Sequence, residues 1–395
     1  MKKYTGKALK AAYTAAAALL LVFCLTDTQA ASEAVCSGIR RCLDTVIPSL
    51  FAVMVFSSVF AESGAVSLMP AWAGKLSRLL FGMGGEVFPV FTFSMFAGYP
   101  VGARLLYEEY SAGRLEKRQA ELLAGLCFGA GPAFIFGCIS RRLYGTSSPG
   151  QLLLISNAAA NILLALAVSV FLRRCAPPQT AKRRTCISVD MLTDCVIGSG
   201  RAMAGICAMI LAFSAVTAFL ERTGAVSAAG ALIAGFTSLD RKQASQLVAV
   251  FLDVTSAGEL PRGDWLLLPY ISGLTSLGGV CVYCQTAAVS RGRLSMKPFI
   301  IIRTAASVIS FYVCRLLLPI FMERETMAAS ALKPCSGTTA VPSVMLVLMT
   351  VMLMWEYGGR SGGNQLQAHK NSRKGRRFVH SAKNCESLQK RLDLL

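Results

Sequence analysis

Asp253 is the residue of this chain best placed to do chemistry. It stands in Phe251-Leu252-Asp253-Val254-Thr255-Ser256-Ala257-Gly258, where Thr255 and Ser256 add hydroxyl oxygens and Glu259 follows closely. A carboxylate beside unwound backbone carbonyls can hold a sodium ion, a proton or a hydroxyl-bearing solute. An ionisable group inside an apolar segment is costly and therefore marks a functional candidate. A second reading stays open, in which the segment leaves the membrane at Asp253 and the carboxylate is a solvated helix-end charge. Asn157 and Asn161 lie four apart and share a helical face. With Ser156 they either line a solute path or hydrogen-bond between helices. Gln285 is a comparable candidate.

Glycine-broken apolar stretches form the second set. The first half of the chain carries Gly98-Tyr99-Pro100-Val101-Gly102-Ala103, then Gly129-Ala130-Gly131-Pro132. The second half carries the Asp253 stretch, then Gly273 to Gly278-Gly279. Backbone freed at membrane depth survives only where it is buried in protein or lines a cavity, and paired broken segments in two halves point to a transport site. Half-helix N-termini expose amides that suit a carboxylate or phosphate. Arg104, directly after the first break, either reinforces an anion preference or snorkels to the interface.

The elements that must position these residues are membrane spans. The chain has 395 residues, 54% hydrophobic and 15% charged, with a mean hydropathy of +0.54. That composition describes a polytopic membrane protein. Candidate segments run over 8–26, 43–62, 65–83, 87–107, 120–142, 150–172, 196–220, 225–254, 264–290, 298–321 and 340–357. Segment 65–83 carries Lys75 and Arg78 with apolar residues at helical spacing and is expected along the interface. Segment 225–254 is interrupted by Asp240, Arg241 and Lys242.

The net charge of +19 would suggest nucleic acid in a soluble chain. Here the charge concentrates in loops and in the tail 358–395, so no nucleic acid is expected as a partner; basic loops face the cytoplasm and anionic lipid. The 14 cysteines form no regular framework, and Cys281-Val282-Tyr283-Cys284 has no second pair or histidine beside it. His369 and His380, the two histidines, lie in the tail. These facts argue against a zinc–histidine or serine–histidine centre within the membrane, and no enzyme activity, metal or cofactor is expected beyond a coupling Na+ or H+. The N-terminus, with Lys2, Lys3, Lys7 and Lys10 ahead of Ala11 to Leu25, mimics a signal peptide. A retained first helix is the preferred reading.

Orientation follows from Lys and Arg. The N-terminus, the 173–184 loop, the 291–297 run and the tail are expected to be cytoplasmic. Helix 150–172 then runs inward and helix 298–321 outward, although each follows a glycine-broken segment. Helices 43–62 and 196–220 are opposed in the same way. The expected fold is an all-α polytopic membrane protein built as an inverted repeat with re-entrant hairpins and broken helices. Arg141-Arg142, which would fall outside, violates the charge rule. The expected parts are an N-terminal transmembrane helix (1–34), a first gate repeat (35–172), a basic cytoplasmic linker (173–189), a second, inverted gate repeat (190–321), a loop plus last transmembrane helix (322–357) and a basic cytoplasmic tail (358–395).

The motifs at these breaks resemble those of the sporulation integral membrane protein YlbJ family, whose halves are called nucleoside-recognition or gate domains. Gly98-Tyr99-Pro100-Val101-Gly102-Ala103 is similar to its G-Y-P-x-G-A signature, and Pro132-Ala133-Phe134-Ile135-Phe136-Gly137 to its P-x-F-I-x-G segment. Leu252-Asp253-Val254-Thr255 resembles its acidic-x-T motif, and Gly278-Gly279-Val280 with Gln285 its G-G-x-x-V-x-x-Q region. The resemblance covers roughly 35–321. It implies a fold similar to concentrative nucleoside transporters, with re-entrant hairpins and broken helices meeting at the bilayer midplane. Sporulating members are associated with moving dipicolinic acid, a small aromatic dicarboxylate, across the membrane around the forespore.

The expected function is therefore a multi-pass carrier of a small organic anion working by alternating access in the cell membrane, including the outer forespore membrane. The expected substrate-binding residues are Gly98, Tyr99, Pro100, Gly102, Arg104, Gly129, Gly131, Asn157, Asp253, Thr255, Ser256, Gly278, Gly279 and Gln285. The partners expected are the anionic solute and the lipid bilayer, and a homo-oligomer is compatible with the sequence. A nucleoside carrier of the same fold and a non-transporting scaffold for spore-envelope assembly are the rival readings.

Overall fold

The computed structural model describes residues 2–63, 71–83, 87–173, 188–290 and 292–331. Within these residues the chain is helical, without a strand. Residues 1–333 form one compact unit; the second, 334–395, lies outside the described residues, and with it the expected last helix 340–357 and the basic tail.

Five described helices are long and apolar enough to cross a bilayer: Thr28–Phe60, Ser148–Leu172, Val189–Arg222, Trp265–Val289 and Lys297–Met322. Their outward surfaces stay apolar, with Ile155, Leu163, Val170, Ile301 and Leu316 exposed. In water those side chains would be a liability; lipid is the medium that covers them. The expectation of an all-α polytopic membrane protein is met.

Element boundaries show how the expected spans are cut. After α1 (Lys2–Thr26), α2 (Thr28–Arg41) passes through a π turn (Cys42–Val46) into α3 (Ile47–Glu62), so the segment read as 43–62 begins a full helix earlier. Next come α4 (Ala71–Phe81) and α5 (Val87–Ala97), which pack on each other. Segment 87–107 is broken after α5, and α6 (Val101–Ser111) resumes beyond Pro100. Segment 120–142 is broken likewise between α7 (Lys117–Leu126) and α8 (Pro132–Phe134), which widens into a π-helical stretch, Ile135–Tyr144. The long α9 (Ser148–Leu172) closes this half.

The second half repeats that order. It opens with a long helix, α10 (Val189–Arg222), followed by α11 (Ala225–Phe236) packed on α12 (Arg241–Leu252). The charges that interrupted segment 225–254 are a turn between two helices. Asp240 accepts from the Gln243 amide while the Gln243 side chain accepts from the Asp240 amide, a reciprocal cap that starts α12. Helices of 12 residues reach about 18 Å at 1.5 Å per residue, short of a hydrocarbon core about 30 Å thick. After α12 come a break at Asp253, the 3-10 turns Val254–Glu259 and Trp265–Leu267, α13 (Leu268–Leu277), a break at Gly278, α14 (Gly279–Val289) and the long α15 (Lys297–Ala331).

Packing is reciprocal between the halves. Both α7 and α13 pack against α9 and α15, the closing helices of the first and second halves, and α10 packs against α2 and α3.

Candidate functional site

The breaks are made by backbone that approaches backbone. Gly98 has φ +76°, and a Cβ there would lie 2.9 Å from the Gly131 nitrogen. The Tyr99 amide donates to the Gly129 carbonyl at 3.0 Å. The two breaks of the first half are thus stitched together. In the second half, Gly278 has φ +88°, and a Cβ there would meet the Phe128 ring at 2.5 Å. Positive φ and this crowding together leave glycine as the residue that fits. Gly279 faces the Phe251 and Val250 carbonyls at the end of α12. Phe128, between the two breaks of the first half, stacks on Tyr99 with centroids 4.9 Å apart.

Asp253 sits where α12 stops, and it is 2% exposed. The Thr255 amide donates to its Oδ1 at 3.1 Å and the Thr255 hydroxyl to its Oδ2 at 2.7 Å. The Ser256 hydroxyl donates to the Asp253 carbonyl at 2.7 Å. These bonds fix the turn locally, since a side chain satisfying the next backbone N–H is what ends one helix and starts another. The remaining partner comes from far away in sequence. Arg41, at the end of α2, donates from Nη1 to Asp253 Oδ2 at 3.3 Å. Its Nη2 donates to the Ser214 hydroxyl at 2.7 Å, and its Nε lies 3.5 Å from Glu259 Oε1. Of the two open readings of Asp253, the buried carboxylate is the one the structure shows, and its counter-charge is Arg41.

Two cavities share Asp253 in their walls. The outer one holds about 720 Å³ and is lined by Asp27, Glu33, Glu221, Asp253 and Glu259, with Arg41 and Arg222 as its cations. Arg222 donates to Asp27 at 2.6 Å and holds that carboxyl below the usual carboxylate range. No ion pair to Glu33 or Glu221 forms among the described residues. The inner cavity holds about 30 Å³, lined among others by Gly98, Tyr99, Gly131, Asp253, Thr255 and Gln285. The Tyr99 hydroxyl is buried there without a hydrogen-bond partner among the described residues.

The expected site residues therefore divide by position. Gly98, Tyr99, Gly131, Asp253, Thr255 and Gln285 converge on the inner cavity, and Ser256 lines the outer one. Pro100, Gly102, Gly129, Gly278 and Gly279 line neither cavity; Pro100 precedes α6, and the four glycines lie in the close packing around the breaks. Asn157 lies apart: its Nδ2 donates to Thr275 Oγ1 at 3.2 Å, and its Oδ1 accepts from Ser310 at 2.7 Å, tying α9 to α13 and α15. Arg104 lines neither cavity and pairs with Glu108 one turn on, at 2.9 Å.

Sequence reasoning passed over Arg41 and Arg303. Arg41 reads as a charge flanking a span, and its pairing with Asp253 is a long-range contact with no local signal. Arg303 did carry a signal, as a charge inside the apolar run of segment 298–321, which marks a functional candidate by its cost alone. It is 1% exposed, with Nη1 donating to the carbonyls of Phe128 at 3.0 Å and Ser276 at 3.2 Å, and Nη2 to Asn161 Oδ1 at 2.6 Å.

Fold and site together define an integral membrane protein with paired broken helices around a charged cavity. The chain is similar to the sporulation integral membrane protein YlbJ of Bacillus subtilis (strain 168), 25% identical over 170 residues, which is 43% of this chain and 41% of that protein. This distant similarity bears out the resemblance read from the motifs, and the matched part spans less than half of either chain. No protein-family model matches the chain. No solved structure matches it.

Proposed function

We propose that this membrane protein is a carrier that moves a small organic solute by alternating access, with the Arg41–Asp253 pair at its centre. The observation that supports it is the position of Asp253: it lines both a cavity of about 720 Å³, where Arg41 meets it, and the small pocket where the broken segments meet. Broken helices around a cavity are the usual construction of a transport site, and rocking of one repeat against the other supplies alternating access.

The solute proposed is a small carboxylate, with dipicolinate the leading candidate. Arg41 is shared by two carboxylates of the protein, Asp253 and Glu259. A dicarboxylate entering the outer cavity offers the same guanidinium the same kind of partner. Displacing Asp253 from Arg41 would loosen the contact between α2 and the α12 turn, which links binding to movement. The excess of carboxylates over arginines around the outer cavity favours a second reading, a neutral solute such as a nucleoside.

Uptake of labelled dipicolinate into liposomes containing the purified protein tests the proposal. Saturable uptake that unlabelled dipicolinate suppresses and uridine or adenosine does not is the expected result. Suppression by the nucleosides instead would move the solute to the second reading, and no flux of either would leave the scaffold reading in place.

A further inference from the structure

Two of the half-helices that end at breaks, α7 and α13, bring their C-terminal ends to the same place. The Phe128 carbonyl lies just past α7 and the Ser276 carbonyl in the last turn of α13. Carbonyls at a helix C-terminus lack their intrahelical N–H partners and carry the negative end of the helix dipole. A third oxygen, Asn161 Oδ1, joins them from α9, and its direction is set because Asn161 Nδ2 donates to the same Phe128 carbonyl at 3.1 Å. Such a cluster of unwound carbonyls and an amide oxygen is the ligand set that a monovalent metal ion takes in carriers built of broken helices.

Here a side chain stands in the middle of it. We propose that the Arg303 guanidinium is the resident cation of this oxygen cage, occupying the position in which a sodium ion would otherwise sit. Its Nη1 reaches Phe128 and Ser276, its Nη2 reaches Asn161, and its Cζ lies 5.3 Å from the Phe128 ring centre, which adds cation–π attraction. No carboxylate pairs with it among the described residues. Its Nε is buried without a hydrogen-bond partner among the described residues. The oxygens thus meet a positive charge at one end of the guanidinium, without a full set of hydrogen bonds around it. One fixed charge bridges a break of each half and the closing helix of the first. The cage is therefore filled without sodium, whatever solute the protein moves.

The test reads cation response in purified protein, so it is independent of any flux measurement. Wild-type protein is expected to melt at the same temperature in sodium chloride and in choline chloride. Arg303→Ala empties the cage and is expected to melt several degrees lower, with a saturable recovery in millimolar guanidinium or in sodium and none in choline. Arg303→Lys, which keeps a charge, is expected to be more stable than Arg303→Met, which keeps the bulk alone. A saturable sodium shift in the wild type overturns the proposal, as does an Arg303→Ala protein unmoved by either cation. If Arg303→Ala yields no folded protein, the lysine and methionine variants decide, and equal stability of those two also overturns it.

Discussion

Arg41 Nη1 and Asp253 Oδ2 lie 3.3 Å apart across 212 residues of sequence, and the pair joins the end of α2 to the turn that ends α12. Both side chains are largely withdrawn from solvent, 11% and 3% exposed. Removing one partner of such a pair leaves the other charge uncompensated, so each single change costs more than the pair contributes in net terms. Arg41→Gln and Asp253→Asn are each expected to lower the thermal midpoint. The double variant should recover part of the loss, with a coupling of about 1–3 kcal/mol. Strict additivity in the cycle would show that the two charges do not stabilise one another.

The rim of the outer cavity makes a prediction about the solute. Glu33 and Glu221 line it without an arginine partner among the described residues. Replacing both with glutamine removes negative potential from the entrance while leaving Arg41 and Asp253 in place. For a dianion the apparent KM should fall severalfold at low salt, and the difference should shrink at high salt as screening sets in. A cationic solute would show the opposite sign, and a neutral one little change.

A comparison of two glycines separates backbone conformation from crowding. Gly98 and Gly113 both have positive φ, +76° and +72°, but a Cβ meets the Gly131 backbone at the first and nothing within 4 Å at the second. Gly113→Ala is therefore expected to cost only the left-handed penalty, about 1–2 kcal/mol. Gly98→Ala should cost that and more, because Gly131 is held in turn by the second break. Equal melting temperatures for the two variants would mean that the breaks are not packed as described.

Acid sensitivity should trace in part to Asp27. The Arg222 hydrogen bond holds its carboxyl below the usual value of 3.8, so the unfolded chain binds this proton more readily than the folded one. The contribution is complete above the ordinary carboxylate range and disappears as pH falls through the lowered folded value. Arg222→Gln should flatten the stability profile below about pH 4, the unperturbed carboxylate range. An unchanged profile in that window would assign the acid response to other groups.

Much of the architecture was legible in the chain because membrane helices announce themselves by length and hydropathy, and breaks by glycine and proline. Gly98, Gly131 and Gly278 mark real interruptions for that reason. The partner of Asp253 was not legible. Arg41 sits beside Arg40 at the head of an apolar run, which reads as an interfacial charge, and only folding brings it to α12. Arg104 shows the opposite case. Adjacency to a break suggested a role at the site, yet a helical side chain points with its face, and Arg104 meets Glu108 four residues on. The four-residue spacing puts Asn157 and Asn161 on one face of α9, while the choice between solute path and helix contact depends on what stands opposite.

What stands opposite Asn161 is Arg303 Nη2 at 2.6 Å, and opposite Asn157 are Thr275 and Ser310. The two asparagines should therefore respond differently to substitution. Asn157→Ala deletes neutral hydrogen bonds and leaves the Ser272–Ser310 contact across α13 and α15 at 2.7 Å in place, so a loss of about 1 kcal/mol is expected. Asn161→Leu strips an oxygen from a buried guanidinium, where the unmet charge raises the cost to about 2–3 kcal/mol. Asn161→Asp restores an oxygen and adds the carboxylate that Arg303 otherwise lacks, so it should be more stable than Asn161→Leu. Thermal unfolding of the three variants in one detergent checks the order. If Asn161→Asp were the least stable of them, repulsion between the new carboxylate oxygen and the Phe128 carbonyl, which Asn161 Nδ2 otherwise bonds at 3.1 Å, would outweigh its attraction to Arg303.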